Sequence, residues 1–241
     1  MSGRTQDQRS LYSATVLAER PMSAASAFSV RDQDLRLRPL QRVGDLLRVV
    51  PGLITVQHAG GGKANQYLIR GFDADHGTDF SLNVDGVPVN MPTHGHGQGY
   101  SDTNFIIPEL IERIEVYKGP YFAEWGDFAT AGAANLVTRR GFAENSATLS
   151  GGMLNTLRAV GIAAPSFEGP LASRLRPVLA VEFRRTDGPF LNPENFNRYN
   201  VFGKLSYDFA PNNTLSLTVT AYGGDWRASG QIPSREVDAG R

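Results

Sequence analysis

VFGKLSYDFAPNNTLSLTVTAY, residues 201–222, holds two runs of alternating polarity joined by a tight turn. In the first run Val201, Leu205, Tyr207 and Phe209 alternate with Lys204, Ser206 and Asp208. In the second, Leu215, Leu217, Val219 and Ala221 alternate with Ser216, Thr218 and Thr220. Successive side chains of a strand point to opposite faces, so each run has one apolar and one polar face. A soluble sandwich alternates in the same way as a transmembrane barrel, and the runs alone do not separate the two. Connection lengths favour the barrel. Pro211-Asn212-Asn213 is a short turn, whereas TDGPFLNPENFNR (186–198) is a long polar loop. Short turns on one side and long loops on the other belong to outer-membrane barrels.

Upstream, Leu179, Val181 and Phe183 alternate with Ala180, Glu182 and Arg184, and Ala147–Gly151 and Arg158–Ala164 are two further strand candidates. Residues 144–241 are therefore expected to supply roughly five antiparallel strands. Before residue 143 the texture differs. Val43, Leu46, Leu47 and Val50 recur at helical spacing within 40–50, stopped by Pro51-Gly52. Short strands are predicted at 53–57, 66–70, 80–84, 87–89, 114–117 and 134–138, with Asp85-Gly86 as a hairpin turn and Pro108 opening a helical turn. Ser13–Ala18 is a further β-prone segment after a polar start. This pattern predicts an α+β domain over 21–143, preceded by a leader over 1–20.

Lys and Arg number 24 against 24 Asp and Glu. That balance argues against a nucleic-acid partner bound through a broad cationic field. With no cysteine, thiolate zinc sites and thiol catalysis are excluded. No apolar run approaches the roughly 18 residues of a membrane-spanning helix. The N-terminus shows no secretion signal, and both ends are expected to be cut.

The segment 40–140 resembles the plug domain of TonB-dependent outer-membrane receptors. DLLRVVPGL (45–53), YLIRGF (67–72), VDGVPVN (84–90), PELIERIEVYKGP (108–120) and AGAANLVTRR (131–140) carry the resemblance, five motifs in the family's order. It implies a plug inside a barrel of about 22 strands, in the outer membrane of a Gram-negative cell. The resemblance also implies import of a scarce nutrient, powered by the periplasmic C-terminal domain of TonB, with outer-membrane lipid around the wall. The strands present are too few for that wall, so an incomplete barrel is expected. By position and β-propensity, Thr15, Val16, Leu17 and Ala18 match the TonB box, which adds a strand to its partner's sheet; an ordinary first plug strand is the alternative. By resemblance, Arg70 and Arg113 face carboxylates of the wall; the alternative for Arg113 is a local pair with Glu109, Glu112 or Glu115.

Beyond those motifs, NMPTHGHGQGYSD (90–102) stands out. His94 and His96, with His76 nearby in sequence, Tyr100 and Asp102, are the candidate substrate contacts. His-x-His in a glycine-rich loop, with a carboxylate, suits Zn²⁺, Ni²⁺ or Cu²⁺, as a transported ion or within a metal complex. The metal candidates are His94, His96, His76 and Asp102; the alternative is a loop that packs under Tyr100 or bonds to the wall. No cofactor is required by this reading. An enzyme is not expected: the loop lacks the His-Glu-x-x-His pattern, no G-x-S-x-G elbow occurs, and GGGK at 60–63 is not a phosphate loop. The remaining rivals are a soluble periplasmic binding module and a truncated receptor without activity.

Overall fold

Helix α1 (Val43–Leu47) is shorter than the 40–50 predicted from its spacing. Its apolar face is nonetheless the expected one, with Leu46 and Leu47 fully buried and Val43 and Val50 nearly so. Beyond Leu47 the chain tightens into turns, Val50 N–H donating to the Leu47 carbonyl, before Pro51. Thr55 Oγ1 donates to the Gly44 carbonyl at 3.0 Å and fastens the helix to the strand that follows. The computed structural model describes residues 26–31, 34–35, 37–38, 42–57, 60–169, 172–228 and 232–240. The TonB-box candidate at 15–18, the segment 13–18 as a strand, and His58 lie outside the described residues.

The strands of the first half are β1 (Ser26–Arg31), β2 (Leu53–Val56), β3 (Gln66–Ile69), β4 (Phe72–Asp73), β5 (Phe80–Val84), β6 (Val87–Pro88), β7 (Ile111–Lys118) and β8 (Gly132–Thr138). They form a five-stranded sheet ordered β1-β7-β8-β5-β6 and a three-stranded sheet ordered β2-β3-β4. The β5–β8 pair is parallel, Phe80 lying opposite Gly132, whereas β7 runs antiparallel to both β1 and β8. Asp85 and Gly86 are both left-handed, at φ 50° and 80°, which turns β5 tightly into β6. Leu46, Leu47, Tyr67, Phe80, Leu82, Ile114 and Leu136 meet in one apolar core between the sheets and α1. Pro108–Leu110 is the expected short helical turn, of 3-10 type.

The second half is one antiparallel sheet in chain order: β9 (Ser146–Gly152), β10 (Thr156–Ala163), β11 (Leu175–Thr186), β12 (Phe196–Ala210) and β13 (Asn213–Asp225). Parts of β11 and β12 bury charged and polar side chains and expose aliphatic ones, the reverse of a soluble sheet. Along β12, Arg198, Asn200, Lys204 and Ser206 are buried, while Tyr199, Val201 and Leu205 are exposed. Along β11, Glu182 and Arg184 are buried, and Leu179 and Val181 are exposed. Register extends the outer face across strands: Val181 pairs with Val201, which pairs with Ala221, and Leu179 pairs with Gly203, which pairs with Val219. Tyr199 stacks near Phe183 at 5.3 Å at one end of this band, and Phe209 is exposed at the other. Ten residue steps at about 3.4 Å span about 34 Å, or about 26 Å after a tilt of about 40°, the height of a membrane barrel's apolar band. The buried face packs on the first half. Ile107 and Leu110 join Val160, Ile162, Val178, Ala180 and Phe202 in a second apolar cluster.

Candidate functional site

Between the two halves runs a seam of charge. Arg158 of β10 forks onto Glu109, Nη1 to Oε1 at 2.5 Å and Nη2 to Oε2 at 2.7 Å, while its Nε donates to Glu182 at 2.6 Å. Glu182 also accepts from Arg198 Nη2 at 2.8 Å and Asn200 Nδ2 at 2.7 Å. Its side chain is fully buried, so the two guanidiniums and the amide replace the water a carboxylate needs. Farther along β12, Lys204 Nζ donates to Asp85 Oδ2 at 2.9 Å and to Thr138 Oγ1 at 2.6 Å. Asp85, in the β5–β6 turn, also accepts the Thr138 backbone N–H at 2.8 Å. Asn200 Nδ2 reaches the Asn104 carbonyl at 2.9 Å.

In these contacts the first half supplies the acids, Glu109 and Asp85, and the sheet supplies the bases. Arg113 takes the local alternative: Nη2 lies 2.8 Å from Glu115 Oε1, and Nη1 lies 3.7 Å from Glu112. Glu115 accepts from Asn135 Nδ2, whose Oδ1 accepts from Gly86 N–H, so Arg113 connects to the Asp85 turn through two intermediates. Arg70 is exposed in the β3–β4 turn at φ 53°, and no wall carboxylate bonds it among the described residues. The sequence did not identify Glu109, Asp85, Glu182, Arg158, Arg198 and Lys204 as the seam. Its one signal was charge on the polar face of alternating strands, at positions 182 and 204.

The histidine loop is held at its base by Asn90, which is buried. Asn90 Oδ1 accepts from Leu82 N–H at 2.7 Å, and Nδ2 faces the carbonyls of Gly77, Phe80 and Gly99 at 2.9–3.1 Å. A Cβ at Gly77, whose φ is 129°, would lie 2.5 Å from the Gly99 carbonyl oxygen, so the close approach of the two loop stems requires glycine there. Ser101 N–H and Oγ both donate to the His76 carbonyl at 2.8 Å. These contacts bring His76, His96 and Asp75 together. His76 Nε2 lies 3.4 Å from Asp75 Oδ1, and His96 Nε2 lies 3.7 Å from Asp75 Oδ2. The two imidazole centroids are 4.6 Å apart.

The other candidates lie around this trio. His94 stacks flat on Tyr100 at 4.0 Å, and its Nδ1 accepts the His96 backbone N–H at 3.2 Å. Tyr100 Oη accepts from Ala64 N–H at 3.1 Å, and burial pushes its phenol above the ordinary range. Asp102 Oδ1 accepts from Asn104 N–H at 2.8 Å. Burial raises the Asp102 carboxyl, opposed by its bonds to Asn104 and by Arg198 and His94 nearby. Asp75 thus stands beside the histidines where the sequence pointed to Asp102. The signal for it was its place immediately before His76. Burial also lowers His76 below the ordinary imidazole value, against the opposing pull of Asp75 and of the Asn65 carbonyl. A cavity of about 320 Å³ opens between the two halves, lined in part by Arg42, Arg184, Arg198, Asn104 and Glu194.

A family model described as TonB-dependent Receptor Plug Domain matches residues 20–133. Over 137 residues the chain is 31% identical to the Ferrienterobactin receptor of Escherichia coli (strain K12), a match covering 53% of this chain and 18% of that protein. It is also 31% identical over 134 residues to the Ferric enterobactin receptor PirA of Pseudomonas aeruginosa, covering 51% of this chain and 18% of that one. The match therefore spans less than a fifth of the length of these relatives. The fold is shared with the solved structure of the Copper transporter OprC, at TM-score 0.65 and 19% identity over 85% of this chain and 31% of that one.

Proposed function

Residues 20–133 are a plug domain of the TonB-dependent receptor family, and from that premise we propose that the chain is the plug and part of the barrel wall of an outer-membrane importer of siderophore-type metal complexes. One observation carries the reading: a sheet with charge on its inner face and aliphatic side chains on its outer face, joined to the plug by ion pairs. Such a sheet suits a wall with lipid outside and a polar lumen within. A seam of charge-assisted hydrogen bonds holds the plug firmly while dry, and water entering the seam can replace each bond in turn. A purely apolar seam would lack that property.

The residues from 15 to 18 recruit the periplasmic TonB domain by strand addition. Tension then reaches β1, which among the described residues pairs with β7 alone. Energy comes from the inner-membrane complex, and the chain itself performs no covalent step. The cargo reading rests on the names of the two enterobactin receptors. The test is uptake of radiolabelled ferric catecholate and ferric hydroxamate complexes by an iron-starved host lacking its own receptors and expressing the receptor that contains this chain. Uptake that requires TonB is expected. Uptake indifferent to TonB, or none with any ferric complex, contradicts the proposal.

A further inference from the structure

Beyond the import of a complex, we infer that Asp75, His76 and His96 form a binding site on the plug for a bare divalent transition-metal ion of the Zn²⁺, Ni²⁺ or Cu²⁺ class. Their ligand atoms all lie within 4.8 Å of one another. A tetrahedral ion with bonds of about 2.05 Å needs its ligand atoms about 3.3 Å apart. His76 Nε2 approaches Asp75 Oδ1 to 3.4 Å and His96 Nε2 approaches the other oxygen, Oδ2, to 3.7 Å, so gathering three atoms around one ion requires the His96 and Asp75 side chains to rotate inward. Both side chains that must turn, His96 and Asp75, are about two-fifths exposed, which leaves them room to do so.

The surroundings also suit a metal ligand. His76 Nδ1 lies 3.2 Å from the Asn65 carbonyl. A carbonyl accepts only, so Nδ1 carries the proton and Nε2 presents its lone pair toward Asp75 and His96. That is the outer-shell bond that orients a ligating imidazole. Two imidazoles and one carboxylate are a three-ligand set that leaves a coordination position open to water. His94 is not a ligand here: it lies against Tyr100 and orders the His96 backbone.

The test titrates the whole chain, in detergent at pH 7.5, with ZnCl₂, NiCl₂ and CuSO₄ by calorimetry. Asp75→Asn, His96→Ala and His94→Ala are compared, and near-ultraviolet circular dichroism verifies that each variant keeps its fold. One equivalent of at least one ion is expected to bind. Its affinity should fall tenfold or more in Asp75→Asn and His96→Ala and fall less in His94→Ala, which removes only the bond that orders the His96 backbone. Copper loading should give an electron paramagnetic resonance signal split by two nitrogens. No saturable heat with any ion, equal affinity in His96→Ala, or a loss in His94→Ala as large as in His96→Ala would each overturn the site. Ferric-complex uptake is read separately, so failure here leaves the import proposal standing or falling on its own data.

Discussion

The two halves of the chain solve the burial problem in opposite ways. In the plug, Leu46, Leu47, Phe80, Leu82 and Ile114 are inside, and the core is that of any water-soluble α+β domain. In the wall, Glu182, Arg198 and Lys204 are inside, and Val181, Val201, Leu217 and Val219 are outside. Under the proposed function both halves obey the same rule: the plug would turn its polar surface to a polar lumen, and the sheet its apolar surface to hydrocarbon. The contrast teaches that alternation alone says little about a strand until it is known which face is covered.

The largest way to break this contrast is Glu182→Ala. It leaves Arg158 and Arg198 buried without their shared carboxylate, and it is expected to cost about 3–5 kcal/mol. Val181→Ala, one residue away and facing outward, should cost under about 1 kcal/mol in detergent; equal losses in denaturant unfolding would remove the assignment of faces. Next comes Val201→Arg, expected to cost about 2–4 kcal/mol when folding into bilayers if this position lies near the midplane. A soluble sheet would accept that change at an exposed site with little loss. A double-mutant cycle on Glu109→Gln and Arg158→Gln should return a coupling of about 1.5–3 kcal/mol, the range for charged hydrogen bonds. A coupling near zero would mean the seam is not held there.

The smallest effect is a pH dependence in the plug. His76 has its folded value lowered by burial, so below its ordinary value of 6.5 the unfolded chain binds more protons than the folded one. Stability should therefore fall as pH drops through 6.5 and level off below the folded value. His76→Gln should flatten that slope between pH 7.5 and 5.5; an unchanged slope would assign it to another group.

Much of this was legible before any coordinates. Asp85-Gly86 between apolar runs gave its hairpin because only a few residue pairs tolerate two left-handed positions. The alternation at 201–209 and 215–222 gave long strands, extended in the structure to 196–210 and 213–225. Strand β1 was not read, since Ser26–Arg31 holds only Phe28 and Val30 as apolar guides and owes its conformation to pairing with β7. The helix was read too long because spacing marks the buried face and not where hydrogen bonding changes to turns. The seam was illegible for a related reason. Arg158 meets Glu109 across 49 residues, and Lys204 meets Asp85 across 119, distances over which periodicity carries no information. In the histidine loop the residue types were visible, but which carboxylate faces them depends on how Asn90 draws the loop stems together.

The chain has no cysteine, so single cysteines can be placed and spin-labelled one at a time. Labels at successive positions from 198 to 206, in the receptor reconstituted in bilayers, should show oxygen accessibility rising at Tyr199, Val201 and Leu205 and a water-soluble nickel relaxant excluded from those sites. Arg198, Asn200, Lys204 and Ser206 positions should be shielded from both. High nickel accessibility at 201 and 205 would mean that this face meets water, and the inverted wall would be wrong.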